Sequence, residues 1–199
     1  MNAKVVKKLP RMMRREQLIS TALAIIREEG TDVLTLGYLA ERAGVSKPVT
    51  YEHFGTRSGL LIALYLSIDQ AQLKVFLESL AKTPKTIESV AHTLSCAYVE
   101  CYRSFGQEWQ SLAAALKADD EMQSFLQEQL DSHVKLICET LRPFTRISQK
   151  QLKIRCLGIV GAAEMLAHGM LRNQLSDLEA ATSLCSLIVA WVIEAPSKS

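Results

Sequence analysis

Residues 35–57 read TLGYLAERAGVSKPVTYEHFGTR, and this stretch decides the fold. Thr35 precedes apolar residues at helical spacing, so its hydroxyl is expected to cap a first helix. Gly44 can adopt, without steric cost, the left-handed backbone conformation that often ends a helix. Ser46 and Pro48 then suit the cap and first turn of a second helix. Two short helices joined by a turn of this length are typical of a helix-turn-helix.

The second helix has an unusual outer face. Thr50 and Phe54 are predicted to face the core, which leaves a Lys, a Pro, a Val, a Tyr and a His pointing outward. Such side chains suit base edges and phosphates better than they suit water. A partly exposed helix in an ordinary bundle is the alternative. The predicted DNA contacts are Thr35, Leu36, Ser46, Lys47, Pro48, Val49, Tyr51, His53 and Arg57.

Three runs in this region resemble the DNA-binding domain of the TetR/AcrR family of transcriptional regulators. They are Gly44–Val45–Ser46–Lys47–Pro48, Tyr51–Glu52–His53–Phe54 and Arg57–Ser58–Gly59–Leu60–Leu61. The resemblance covers residues 11–65 in detail, and the rest of the chain matches in length and helical pattern alone. The family commonly has Thr or Ser and then Leu or Phe before the Tyr, whereas this chain has Val49 and Thr50. The preferred bases are therefore left open.

The resemblance implies both an architecture and a function. A first helix within 11–29 would pack across the helix-turn-helix pair and complete a three-helix DNA-binding head. The head would bind an operator and usually repress the adjacent genes. A small molecule in the C-terminal domain would change the spacing or mobility of two heads and release the DNA.

The charge of the chain is divided between two predicted domains. Residues 1–57 hold ten Lys and Arg against six Asp and Glu, whereas residues 58–199 hold thirteen against fifteen. Positive charge therefore accompanies the helix-turn-helix, as binding to phosphate requires. We predict a DNA-binding domain over 1–56 and a ligand-binding and dimerisation domain over 57–199. The basic arm at 1–10 is either a DNA contact or a solvated tail.

The periodicity of the whole chain predicts an all-α protein with about nine helices, because no stretch alternates over the length of a strand. A break at Gly106 and Gln107 is expected to separate a helix over 86–105 from a short one over 108–118. Two capping boxes, Ser148 with Gln151 and Ser176 with Glu179, are expected to begin the last two helices. The other predicted helices span 57–80, 119–141, 148–173 and 176–194.

The last two helices are more apolar than one small domain easily covers. We therefore predict a homodimer through a four-helix bundle, and the alternative is that these helices complete the core of a monomer. Two related heads would then read an approximately palindromic operator, with half-sites about one DNA turn (roughly 34–36 Å) or a multiple apart. The predicted interface residues are Gly158, Gly161, Met165, Leu184, Leu187, Ile188 and Trp191.

Aromatic, Met and His residues on the central helices favour a pocket for a small, mostly apolar effector. Each of them is also a plausible core residue. The predicted lining is Tyr98, Tyr102, Trp109, Met122, Phe125, His133, Met165 and His168.

Other classes of site have little support in the sequence. No phosphate-binding loop, nucleophile elbow or metal motif is present, so we predict no catalytic residue, metal or cofactor. His92 and Cys96 are four residues apart, but two ligands are too few for a structural zinc site. Five unpaired cysteines and the lack of a signal peptide indicate a reduced, cytoplasmic protein. No membrane span is predicted in the last two helices, because polar and charged residues interrupt their apolar runs, namely Arg155, Glu164, His168 and Glu179. A helical enzyme or ligand carrier that retains the head, or a protein-interaction module, would be the rival classes.

Overall fold

The computed structural model describes residues 9–117 and 120–193, except the side chains at 107, 109, 120 and 121. Within these ranges the chain forms eight α-helices and one 3-10 helix and no strand, which confirms the all-α prediction. The helices are α1 (Arg11–Glu29), α2 (Leu36–Arg42), α3 (Lys47–Phe54), α4 (Arg57–Lys82), α5 (Ile87–Leu116), α6 (Asp120–Leu141), the 3-10 helix (Arg142–Phe144), α7 (Gln149–Leu171) and α8 (Asp177–Ile193).

The helix α5 is continuous, so the predicted break at Gly106 and Gln107 is wrong. The backbone at Gly106 is not among the positive-φ glycines, which in the described chain are Gly30, Gly44 and Gly55. A Cβ at Gly106 would lie 2.9 Å from Leu171 Cδ2 at the end of α7. The glycine therefore serves close packing between α5 and α7 rather than the end of a helix.

The first core joins the head to the rest of the molecule. The stripe predicted on α1 is buried, with Leu18, Ala22 and Ile25 at 0% exposure. These side chains pack in one cluster with residues from α2 and the first half of α4. The cluster also contains Leu112 and Leu116 from the end of α5. The head is therefore held against α4 and α5 by a continuous apolar core.

The second core lies among α5, α6, α7 and α8. Both predicted capping boxes form: Ser148 Oγ accepts from Gln151 N at 3.2 Å, and Ser176 Oγ accepts from Glu179 N at 3.2 Å. Between α7 and α8, a Cβ at Gly158 would lie 2.5 Å from Trp191 Cζ3. Gly158 therefore lets the indole of Trp191 lie directly on the α7 backbone.

Two of these helices are long and apolar enough to cross a membrane by length and composition alone, namely α4 and α7. Both contribute buried side chains to the packed helices of this structure, as Leu64 does from α4 and Ile159 from α7. Core helices of folded domains commonly meet the same criterion.

Candidate nucleic-acid interface and ligand cavity

The predicted helix-turn-helix forms, and its turn follows from the local sequence. Thr35 Oγ1 accepts a hydrogen bond from Tyr38 N at 3.1 Å, which caps α2. The chain turns at Gly44, where φ is +65°, and a non-glycine residue would be strained in that conformation. Ser46 then precedes α3 in an extended conformation, and Pro48 lies in the first turn.

Thr50 fixes α3 against α2. Its side chain is fully buried, and its hydroxyl lies 2.9 Å from the carbonyl oxygen of Leu36 and 2.8 Å from that of Lys47. Phe54, one turn later, is 8% exposed and packs in the first core. The predicted inward face of α3 is therefore confirmed.

The outer face of α3 carries the side chains predicted to meet DNA. Lys47 and Pro48 are exposed, and Tyr51 is 55% exposed. Val49 and His53 are partly buried, and Val49 packs against the first core. Lys47 also lies over the start of α2, since a Cβ at Gly37 would be 3.5 Å from its Cε. The sequence reasoning did not single out Gly37, although a glycine in the first turn of a helix is a signal of such a close approach.

The remaining predicted contacts differ in what they can offer. Thr35 and Ser46 are exposed, whereas Leu36 is 4% exposed. Leu36 can therefore present only its main-chain N–H, in the first turn of α2. Arg57 donates from Nε to Leu34 O at 2.9 Å and from Nη2 to Thr31 O at 2.7 Å. Its guanidinium thus fixes the loop before α2 and keeps other N–H groups for a phosphate.

Positive charge lies beside this face, at the start of α1. Arg15 is stacked on Phe54, with its Cζ atom 5.3 Å from the ring centroid. Burial is the main cause that lowers the pKa of His53, and the charges of Arg11, Arg15 and Arg14 add to it. The first eight residues of the predicted basic arm lie outside the described residues.

Replacing Thr50 by Val is expected to destabilise the protein by about 1–2 kcal/mol, because the hydroxyl's hydrogen bonds to two carbonyl oxygens are lost while the shape of the side chain is kept. Urea denaturation followed by circular dichroism would measure the change. Thr21→Val is the matched control, since within the described part of the chain the Thr21 hydroxyl bonds to Gln17 O of its own helix, at 2.9 Å. An equal loss in both variants would contradict a special role for Thr50 between α2 and α3.

A cavity of about 700 Å³ lies among α4, α5, α6 and α7. Its wall is mostly apolar, and the described residues on it include Tyr65, Leu73, Phe76, Leu94, Tyr98, Tyr102, Leu126, Leu130, Ile137 and Val160. The rings of Tyr98 and Tyr102 are stacked with their centroids 5.1 Å apart. The volume and the lining suit a small organic ligand.

The structure places three of the predicted pocket residues on this wall, namely Tyr98, Tyr102 and His133. Met122 and Phe125 pack in or against the first core instead. Met165 is 59% exposed and does not line the cavity. The wall does not include His168, and the side chain of Trp109 lies outside the described residues. The helical spacing of the sequence identified the helices around the cavity, but it did not show which face of each helix lines the cavity.

The sequence reasoning predicted His133 but missed Asp69, Glu164 and Lys117 on the cavity wall. His133 Nε2 and Asp69 Oδ1 are 2.7 Å apart, and this pair joins α6 to α4. Glu164 and Lys117, both exposed, also lie on the wall. Burial, followed by the charges of Asp69 and Glu100, raises the pKa of the Cys101 thiol to about 11. The separation of 64 residues between Asp69 and His133 left no local signal.

The predicted dimer residues fall into three groups. Gly161 and Met165 are exposed on α7, and a Cβ at Gly161 would meet no atom within 4 Å. Leu187 and Trp191 are partly buried, as is Gly158 beneath Trp191. The other two, Leu184 at 3% and Ile188 at 1% exposure, pack inside the second core and so face away from a partner.

The described residues contain no group of three or more His, Cys, Asp or Glu that could hold a metal ion. Cys96 Sγ lies 3.6 Å from His92 Nε2, as their spacing on one helix predicts. The five cysteines are free in the structure.

Comparisons with known proteins agree with this geometry. The family model for bacterial regulatory proteins of the tetR family matches residues 18–64, which span most of the head and the start of α4. The HTH-type transcriptional activator FasR of Mycolicibacterium smegmatis is 32% identical over 98 residues, which are 49% of this chain and 42% of that protein. The tetracycline repressor protein class C of Escherichia coli is 44% identical over 52 residues, or 26% of this chain and 24% of that protein.

The matched segments thus span less than half the length of these curated relatives. The fold extends the likeness to most of the chain. A TetR-like transcriptional regulator from a Rhodococcus species has a TM-score of 0.65 and 20% identity, covering 92% of this chain and 97% of that one. The matching head, its exposed α3 face and the shared helical architecture together show that this chain is similar to the tetR family of bacterial regulatory proteins, in sequence over its DNA-binding head and in fold over most of its length.

Proposed function

We propose that the chain is a sequence-specific DNA-binding transcription regulator, and that it acts as a repressor released by a small, mostly apolar effector. The observation that carries this proposal is the exposed face of α3, with Lys47, Pro48 and Tyr51 on a helix that Thr50 holds in place. Side chains of these types can contact base edges and phosphates in the major groove. The relatives include an activator and a repressor.

We propose that the working form is a homodimer through α7 and α8. Four exposed residues follow one face of α7 at helical spacing, namely Ile154, Leu157, Gly161 and Met165. The apolar members of this stripe are 52–61% exposed. Apolar stripes of this kind mark contact surfaces between proteins. The outer side of α8 carries the small exposed residues Thr182, Ser186 and Ala190, which would let a partner helix approach closely.

The cavity is coupled to the head by shared contacts. Tyr65 lies on the cavity wall and also packs against Phe125 in the first core, with ring centroids 5.3 Å apart. A second link is ionic: Arg27 of α1 and Glu108 of α5 are 2.5 Å apart, and the Glu108 side chain is only 6% exposed. A ligand that moves α4 or α5 would therefore also move the head.

An effector can release DNA only if it binds the DNA-incompetent arrangement more tightly than the DNA-competent one. Reciprocal linkage then requires that operator DNA weaken effector binding by the same factor. We propose further that the protein is cytoplasmic and that its cavity binds a ligand without catalysing a reaction.

Selection of bound duplexes from a random DNA pool at two salt concentrations tests the proposal. An enriched, approximately palindromic site would support both the specific contact and the two-fold dimer, and its half-site spacing would give the separation of the heads. Binding that enriches nothing and disappears as salt rises would reduce the interaction to non-specific phosphate contact. A helical enzyme or ligand carrier would then replace the regulator as the working hypothesis.

A further inference from the structure

The cavity wall carries negative charge on two different helices. Asp69 projects from α4 with its side chain 17% exposed, and Glu164 projects from α7 and is exposed. The described basic residues on the wall are His133, which is already paired with Asp69, and Lys117, which is exposed at the end of α5. Because water screens the carboxylate of Asp69 little, its charge interacts more strongly with a ligand than the charge of a fully solvated carboxylate does.

The groups around the cavity respond to this negative charge. Burial is the largest cause that raises the pKa of Tyr65 and of Cys101, and the negative charge of Asp69 is the second largest. Burial is also the largest cause of the raised pKa of Tyr98 and Tyr102, and the charge of Glu164 adds to it in both. Burial is thus the first cause of the raised pKa in all four groups, and the wall carboxylates Asp69 and Glu164 add to it.

Aromatic rings line the same space. Phe76 and the three tyrosines Tyr65, Tyr98 and Tyr102 belong to the wall. The faces of aromatic rings attract cations, and the attraction grows as water is removed. An anionic ligand would instead meet the little-exposed carboxylate of Asp69, and His133 is already engaged with that carboxylate.

We propose that the effector is a mostly apolar organic cation, whose charged group binds Asp69 and whose apolar body lies along the aromatic wall. This inference rests on the proposed function and specifies the ligand of the same cavity. The cation competes with His133 for the Asp69 carboxylate. Its binding therefore separates α6 from α4, the helix whose first residue, Arg57, fixes the loop before the helix-turn-helix.

Three probes with one apolar body test the charge preference: 4,4-diphenylbutylamine, 4,4-diphenylbutan-1-ol and 4,4-diphenylbutanoate. Isothermal titration calorimetry with the full-length protein would measure each affinity. We expect the ammonium probe to bind about tenfold or more tighter than the carboxylate probe. Asp69→Asn is expected to lower the affinity for the ammonium probe about tenfold and to change the affinity for the alcohol probe less than about twofold.

The matched control is Glu78→Gln, which removes an exposed carboxylate from the same helix but away from the cavity wall. It should leave all three affinities unchanged. The inference would be overturned if the carboxylate probe bound as tightly as the ammonium probe, or if Glu78→Gln lowered the affinity for the ammonium probe as much as Asp69→Asn does. It would also be overturned if the ammonium probe did not bind at concentrations up to about 1 mM.

Operator binding by the unliganded wild-type protein is measured in parallel, so the two proposals fail separately. A protein that binds a palindromic operator but prefers the carboxylate probe keeps its regulatory function and loses the cationic effector. A protein that binds no operator but binds the ammonium probe in an Asp69-dependent way keeps the cation site and loses the regulatory function.

Discussion

Replacing both Lys47 and Tyr51 by alanine is expected to weaken operator binding about a thousandfold or more. The two side chains are exposed on α3, and contacts of this kind to bases or phosphates contribute about 1–3 kcal/mol each. A dimer loses each contact twice, so the total reaches about 4 kcal/mol even at the low end, which corresponds to that factor. Fluorescence anisotropy with the selected operator would measure the loss.

The fold of this double variant should be unchanged, because neither side chain is part of the buried core. Its thermal unfolding, followed by circular dichroism, should match that of the wild type. Lys82→Ala removes an equally exposed lysine at the far end of α4 and is the matched control for net charge. Operator affinity that survives the double substitution, or that falls as much in the control, would contradict the assignment of α3 as the recognition helix.

Leu157→Glu is expected to produce a monomer and, as a result, to lower operator affinity about a hundredfold or more. Leu157 is 52% exposed in the middle of the α7 stripe, so the substitution does not disturb the protomer core. In a dimer it would place two carboxylates in an apolar contact, where unpaired charge is strongly unfavourable. Two heads that are no longer linked also lose the effective concentration that lets the second half-site bind readily.

Light scattering with size-exclusion chromatography would measure the mass, and anisotropy the operator affinity. Val75→Glu is the control, since Val75 is a similarly exposed apolar residue on α4, at 53%. A variant at Leu157 that stays dimeric would place the interface elsewhere. A monomer that binds the operator at wild-type affinity would instead show that the heads act independently.

Local signals made much of the head predictable from the sequence. A helix cap, a turn glycine and a proline act within a few residues, so Thr35, Gly44 and Pro48 could be interpreted without a tertiary structure. The 3.6-residue stripe on α1 likewise predicted Leu18 and Ile25 as core residues, and both are buried.

The interior of the C-terminal half was less predictable, because its chemistry depends on which helix faces which. Gly106 was expected to end a helix, but it accommodates Leu171, more than sixty residues away. Met165 belongs to a helix that borders the cavity, yet its side chain is exposed and does not line the cavity. The Asp69–His133 pair exists only because α4 and α6 are neighbours in space.

The first core has a consequence for how the molecule unfolds. It includes Leu64 and Ile68 from α4, Leu116 from α5 and Met122 from α6, in addition to the side chains of the three head helices. A fragment that ends at residue 56 would expose the apolar faces that these residues cover. Such a fragment is too small to replace that burial from its own side chains. The motif therefore marks a recognition unit but not an autonomous folding unit, and the head and α4 should melt in one cooperative transition.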